Sequence, residues 1–320
     1  VYLRLPFFRI MEERRQRQFK KGTAYKATVQ YAEMDSLFQE YTDNETLQGG
    51  EKVTDTTVQW YRKNAQLPLE LKSMEDMENR DGGGDGQIFD IRQRLVINGQ
   101  RGMRLAMSKL LYRAGDSNRD QPSSANAQFQ GLKDALAFDV SYGGKTRANS
   151  TTNSWWQSAD ITATAAWATA TQTTAVACSI ANFRRIIDRV QRYATTDSPD
   201  NLLFLCGNTN YRTLQSQVES QRIYKAGPHA EFGFTSMTID GVEIIADPYL
   251  DLGGFSTNTF MLHLPDWHLM LSPKRRLGYV TDLEWQGKYA NGTDKLLGRV
   301  MLQGNIICTQ PNASCYQVMS

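Results

Sequence analysis

The chain has 320 residues, 40% of them hydrophobic and 22% charged, which is enough to bury a large core and too apolar for a disordered protein. No apolar run approaches the roughly 18 residues of a membrane span, so no membrane is expected as a partner. The formal charge of +2 conceals an asymmetry. Residues 1–30 carry Arg4, Arg9, Arg14, Arg15, Arg17, Lys20, Lys21 and Lys26 against Glu12 and Glu13, a net +6, which leaves −4 on residues 31–320. A basic arm on a mildly acidic body points to a polyanion at one end. The opening Val1-Tyr2-Leu3 has no methionine and no signal-peptide layout, so the start is expected to be cleaved or missing. Cys178, Cys206, Cys308 and Cys315 are scattered, without metal-ligand pairing, and are expected to be reduced thiols.

Residues 1–48 form a predicted arm with one short amphipathic stretch, Phe7 to Phe19, and few core signals; Gly49-Gly50 breaks the chain. Val53 to Leu71 is rich in Thr, Val, Trp and Tyr and is predicted to be extended, with Pro68 restricting it to an edge or loop. Such a segment fits a hairpin projecting from the body. Residues 75–86 are acidic, then glycine-rich, and are expected to form a flexible turn.

The clearest helix spans about 88–113. Ile88, Ile91, Leu95, Met103, Ala106 and Leu110 recur at steps of three and four, with Gly99 keeping the stripe in register and Asn98-Gly99 and Gly102 as places to bend. Residues 116–174 are polar and loop-rich, apart from an apolar island at Leu132 to Val140. A second helix is predicted over Ala175–Tyr193, a buried strand over Leu202–Cys206 and a third helix over Tyr211–Gln221. Met237–Ile239, Asp240-Gly241 and Val242–Ala246 make a hairpin, and strands follow near 259–264, 269–271, 280–289 and 296–308. Helices and strands do not alternate as βαβ units, so the fold class is α+β.

Chemistry finds little support. Gly143-Gly144-Lys145-Thr146 imitates the end of a phosphate-binding loop, but Asp139 stands where the first glycine belongs. His229, His263 and His268 lack helical chelating spacing, and no nucleophile elbow occurs. Catalytic, metal and cofactor-binding residues are therefore assigned as none. Trp155-Trp156 within a polar loop fits an interface anchor or a loop plug better than a sugar platform.

One ordered set of motifs resembles a known family. Gly131-Leu132-Lys133-Asp134-Ala135-Leu136 precedes Tyr142-Gly143-Gly144 with Arg147, then Asn153 with Trp155 and Trp156; later come Gly241 to Asp247-Pro248 and the closing run Asp294 to Asn305. The set, spanning roughly residues 50–313, resembles the major capsid proteins of tailed bacteriophages, whose fold is named after phage Hong Kong 97. The resemblance implies an N-terminal arm, an extended hairpin loop, a long spine helix and two β-containing domains. These parts map onto 1–48 (arm), 49–86 (extended loop), 87–130 (spine helix and peripheral domain), 131–255 (central, axial domain) and 256–320 (strands returning to the peripheral domain).

The function so implied is structural. Hexamers and pentamers close into an icosahedral shell around packaged double-stranded DNA, in a virion assembled in the host cytoplasm. The implied partners are copies of the chain, DNA held non-specifically, and scaffolding, portal and decoration proteins. Val58, Trp60, Tyr61, Leu67 and Leu69 are expected in the loop that covers a neighbour, and Ile88, Ile91, Leu95, Met103 and Leu110 in the spine-helix core. Arg14, Arg15, Arg17, Lys20 and Lys21 are expected to face DNA or scaffold. Some relatives cross-link a lysine to an asparagine; Lys52, Lys63 and Lys72 lie in the extended segment, but none is assigned that role. The alternatives are an encapsulin-like compartment, which shares the fold, and a soluble carbohydrate-binding or hydrolytic domain using Trp155-Trp156.

Overall fold

The computed structural model describes residues 5–18, 22–32, 53–81, 90–121, 128–147, 153–158, 175–194, 198–219, 236–281, 283–285 and 295–319. The arm begins with α1 (Pro6–Arg14), where proline at the first position suits a helix start. Phe7, Phe8, Ile10 and Met11 are buried on one side of it, and Arg104 of a later helix holds Glu12 at 2.9 Å. This part of the arm is docked, contrary to the expectation of few core contacts. Its four apolar residues fall within two turns, so a single short face is enough to anchor it. The arm continues as β1 (Gln16–Gln18) and β2 (Ala24–Gln30), neither of which the sequence pattern disclosed.

β3 (Asp55–Tyr61) and β4 (Lys63–Lys72) follow one another almost without a break. The expected self-contained hairpin over 49–86 is therefore corrected. β3 pairs antiparallel with β2, Tyr25 facing Trp60 and Ala27 facing Val58, as a two-stranded ribbon. β4 instead joins a distant strand, and among the described residues it pairs with that strand alone, so Pro68 does lie on an edge. Val58 and Trp60 are fully buried within their own chain and Leu69 nearly so, while Tyr61 and Leu67 are half-buried. These side chains serve the subunit's own core and leave little to offer a neighbour.

The acidic stretch expected to be a flexible turn starts as a helix, α2 (Ser73–Asp81), with Glu75 and Asp76 in the first turn, where the helix dipole favours anions. The Asp76 carboxylate receives a bidentate bond from Arg92 at 2.6 and 2.5 Å. Residues 82–86, like Ile88, Lys20 and Lys21, lie outside the described residues.

The long helix is α3 (Ile91–Leu111), roughly 30 Å in length. Asp90 caps it by accepting from the Arg92 and Gln93 amides at 2.9 and 3.1 Å. It runs unbroken through Gly99 and Gly102, and Gly99 is a point of close approach. A Cβ on Gly99 would stand 2.5 Å from Leu69 Cδ2 and 3.0 Å from Val300. The buried face consists of Gly99, Met103, Met107 and Leu111 at steps of four. Ile91, Leu95 and Leu110 are half-buried, so the stripe is rotated from the one inferred from the pattern.

The remaining elements are α4 (Leu132–Leu136), α5 (Ile180–Gln191), β5 (Leu202–Cys206), α6 (Asn208–Glu219), β6 (Ser236–Ile239), β7 (Val242–Ala246), α7 (Pro248–Leu252), β8 (Asn258–His263), β9 (Trp267–Leu271), β10 (Tyr279–Val280), β11 (Glu284–Trp285), β12 (Lys295–Cys308) and β13 (Cys315–Val318). The β6–β7 turn uses Asp240 at φ +49° and Gly241 at φ +84°, the left-handed pair of a tight hairpin.

Among the described residues the strands form three sheets: the β2–β3 ribbon, a five-stranded sheet ordered β13-β8-β5-β7-β6, and a six-stranded sheet. In the last, β12 pairs with β4, β9, β10 and β11, and β1 pairs in parallel with β9. The five-stranded sheet separates two cores. Leu203 and Leu205 of β5 face one, with α1, α3 and β9; Leu202, Phe204 and Cys206 face the other, beneath α5 and α6. Tyr112, at the end of α3, fastens the first core by donating to Asp247 Oδ2 at 2.6 Å, just beyond β7. Burial raises the Asp247 carboxyl to about 6.

Candidate functional site: the turn at the root of the ribbon

The residues singled out around Tyr142 converge on the ribbon. Gly143 and Gly144 have φ of +64° and +77°, and Tyr142 and Lys145 exchange backbone bonds at 3.0 and 3.1 Å. A two-residue turn of this kind needs left-handed backbone at both positions, which glycine adopts at least cost. The Gly143 carbonyl accepts from the Gln59 amide of β3 at 3.0 Å, and Lys145 Nζ donates to Thr56 Oγ1 at 2.9 Å. The turn thus holds β3 by backbone and side chain.

Asp120, which no sequence pattern marked, closes the turn from beneath. Its carboxylate accepts from the Gly143 and Gly144 amides at 3.1 and 2.7 Å and from Gln130 Nε2 at 3.1 Å. Those amides are the groups that would cradle a phosphate, so the loop's resemblance to a nucleotide site ends in an internal carboxylate. Desolvation raises Asp120 to about 6, although the three donors favour its charged form.

Above the turn is an aromatic cluster. Trp60 lies 6.1 Å from Tyr142 and 6.3 Å from Trp156, and Tyr25 stacks on Trp60 at 5.8 Å. Trp156 Nε1 donates to the Tyr142 carbonyl at 2.9 Å, and the Tyr142 hydroxyl accepts from the Cys308 amide at 2.6 Å. These two polar edges are paired inside an apolar stack, whereas the Trp60 indole N–H is buried without a partner among the described residues. Trp155 is half-buried and packs on Tyr31 at 5.3 Å. With Trp156 buried and Trp155 packed on both Trp156 and Tyr31, the pair is a plug beneath the ribbon.

Arg147 is the largest cation in the core. It donates to the carbonyls of Val140, Ala135 and Asp134 at 2.7, 2.6 and 2.7 Å, and its guanidinium lies 5.5 Å from the Tyr142 ring centre. Burial lowers its pKa to about 10, which still leaves it charged at neutral pH. Asn153 binds the Thr146 carbonyl at 2.8 Å, and Gln157 binds that of Arg147 at 3.1 Å. Tyr142, Gly143, Gly144, Arg147, Asn153, Trp155 and Trp156 are thus parts of one structural joint.

Other candidate residues are placed elsewhere. Arg14 and Arg17 are exposed and Arg15 is half-buried, at the start of β1. Lys63 is buried with Nζ on the Gln121 carbonyl at 2.6 Å, desolvation lowers its pKa, and it is not presented for cross-linking. Lys72 is exposed beside Glu75. His263, Asp266 and Ser314 have the residue types of a hydrolytic triad and are all buried. His263 Nδ1 meets Asp266 Oδ2 at 2.6 Å, while Ser314 Oγ accepts from the Trp267 indole at 3.1 Å and the His263 amide at 3.3 Å. They tie β8 to β9.

No protein-family model matches the chain, and no curated protein matches it. Solved structures do. A chain of the cyanophage A-1(L) capsid superposes with a TM-score of 0.70 at 12% identity, covering 99% of this chain and 93% of that one. The holo-SrpI encapsulin from Synechococcus elongatus PCC 7942 gives 0.59 at 12% identity, covering 97% and 86%. Mycobacterium phage Ogopogo gives 0.53 at 10% identity, covering 98% and 91%. With its docked arm, ribbon, long helix and paired sheets, the chain has the Hong Kong 97-type fold common to these phage capsid and encapsulin subunits.

Proposed function

We propose that this chain is the major capsid protein of a tailed bacteriophage, a structural protein without catalytic function that assembles into hexamers and pentamers of an icosahedral shell around double-stranded DNA. The observation that carries the reading is the end-to-end likeness to the cyanophage A-1(L) capsid chain, which leaves almost none of either chain over for another activity. The ribbon supports it. Lys26, Thr28, Gln30, Asp55 and Thr57 are exposed on its outer face, and Tyr31 and Val53 are exposed just past its strands. A rigidly rooted ribbon with an unused polar face suits contact with a neighbouring copy. Each contact need only be modest, because a closed shell multiplies it. In this reading the location is the virion, and scaffolding, portal and decoration proteins are the further partners.

An encapsulin-like shell holding protein cargo is the second reading, supported by the likeness to SrpI over 97% of the chain. Electron microscopy with light scattering on the purified chain tests both. Closed shells, rings or tubes are expected, and DNA copurifying with them favours the capsid while protein cargo favours the encapsulin. A monomer that stays monomeric when scaffold is added would remove the shell reading.

A further inference from the structure

We propose that the β1 edge of the six-stranded sheet, with the adjoining β9, is a binding site for phosphate oxyanions, built from Arg15, Arg17 and His268 and extended by Lys274, Arg275 and Arg276. The strand register brings the first three together. β1 runs parallel to β9 with Gln16 opposite Leu269 and Arg17 opposite Met270, and the Leu269 amide donates to the Arg15 carbonyl at 3.0 Å. One step back along the same register, Arg15 lies beside His268. Alternation then places Arg15, Arg17 and His268 on one face, with Gln16 and Gln18 on the other. Lys274, Arg275 and Arg276, all exposed, begin three residues past the end of β9, where Ser272 bridges Arg275 in a turn.

Polar atoms of this group are buried and unpaired. Arg15 and Arg17 make no side-chain hydrogen bond or ion pair among the described residues, and Arg15 Nε is buried without a partner. His268 is 4% exposed and its Nδ1 is likewise buried and unpartnered. Buried donors left unpaired cost free energy until an acceptor arrives. The neighbouring carboxylate, Asp266, is already engaged, Oδ2 by His263 at 2.6 Å and Oδ1 by Thr309 at 3.4 Å. Desolvation and the two arginines hold His268 down at about 4, so at neutral pH it is an uncharged ring with room for one more hydrogen bond. Guanidinium forks fit phosphate oxygens better than ammonium groups do, and several cations fit a repeating anion. The identification of that anion as DNA backbone rests on the shell reading; the phosphate site itself does not.

The test is binding of a labelled short DNA duplex to the full chain across a range of salt. The double variant Arg15→Gln, Arg17→Gln is expected to weaken binding by about tenfold or more at physiological salt. It should also lower the salt slope by about two, one for each phosphate that is no longer neutralised. Replacing Lys274, Arg275 and Arg276 by glutamine should act in the same direction. A charge-matched control on the exposed side of α5, Arg185→Gln with Arg192→Gln, should change neither quantity. Equal weakening in the control, or none in either β1–β9 variant, overturns the proposal. So does polyglutamate that matches the duplex in affinity and is weakened by the same variants, since the partner would then be an acidic protein. Intact duplex binding by a chain that never assembles would count against the shell reading alone.

Discussion

The five-stranded sheet and the two-stranded ribbon are held in place by opposite means. Every residue of β5 is buried, and its side chains alternate between two cores, so the strand is held from both faces by apolar contact. The ribbon has one covered face, where Tyr25, Val58 and Trp60 rest on the glycine turn, while Lys26, Thr28 and Thr57 lie open on the other. Two strands alone are marginal in water. The ribbon's order therefore resides largely in residues far from it in sequence: Asp120, Tyr142, Arg147 and Trp156. A subunit built this way can keep a fixed body while its contact element answers to a small number of polar bonds.

That contrast can be broken from either side. Phe204→Ala, in the second core, should cost about 3–5 kcal/mol and lower the denaturant midpoint of the whole subunit. Arg147→Ala strands three buried carbonyls and should cost roughly 3 kcal/mol. Here hydrogen exchange should rise first in 24–30 and 55–61, before the five-stranded sheet; uniform loss of protection would contradict the proposed dependence.

The third expectation concerns pH. The folded Asp120 titrates near 6 against an ordinary 3.8, so the folded state binds this proton more tightly than the unfolded one. Its contribution to stability is greatest below 3.8 and is lost as pH rises through 6. Asp120→Asn should flatten that part of the pH profile of the urea midpoint, leaving the similar slope due to Asp247. An unchanged profile would show that the carboxylate titrates normally. The smallest effect is expected from Gly144→Ala. A Cβ there meets nothing within 4 Å, so only the left-handed backbone is penalised, by roughly 1 kcal/mol. Faster exchange confined to the ribbon, with an almost unchanged midpoint for the body, is the expected result.

Features set by neighbouring residues were legible in the sequence. Asp240-Gly241 between two apolar runs specified its hairpin, and the apolar run at 202–206 its buried strand. Gly143-Gly144 was read only as the tail of an imitation phosphate loop in a loop-rich stretch, and the tight turn it makes was not. The helix at 91–111 was visible too, with Gly99 and Met103 on its stripe; its second half was misread by one position, Ala106 and Leu110 for Met107 and Leu111, because apolar residues stand side by side there. What escaped was set by distant partners. Nothing near Asp120 indicates that it caps amides at 143 and 144, and Arg147 in a polar stretch gives no sign of three buried carbonyls. β1 and β2 were hidden in the arm because their pairing partners lie elsewhere in the chain.

The pairing of β4 with β12 also bears on how the chain is made. Lys72 faces Lys295, so the strand at 63–72 leaves the ribosome more than two hundred residues before the strand that completes it. The β12 run then leads through a short turn at 311–313 into β13, the outermost strand of the other sheet. Both large sheets thus wait until residues 295–318 have been made. Until then an edge with alternating apolar residues stands open, at the concentrations where unfinished chains find one another. Keeping early and late subunits apart during synthesis is a requirement written into the order of the strands.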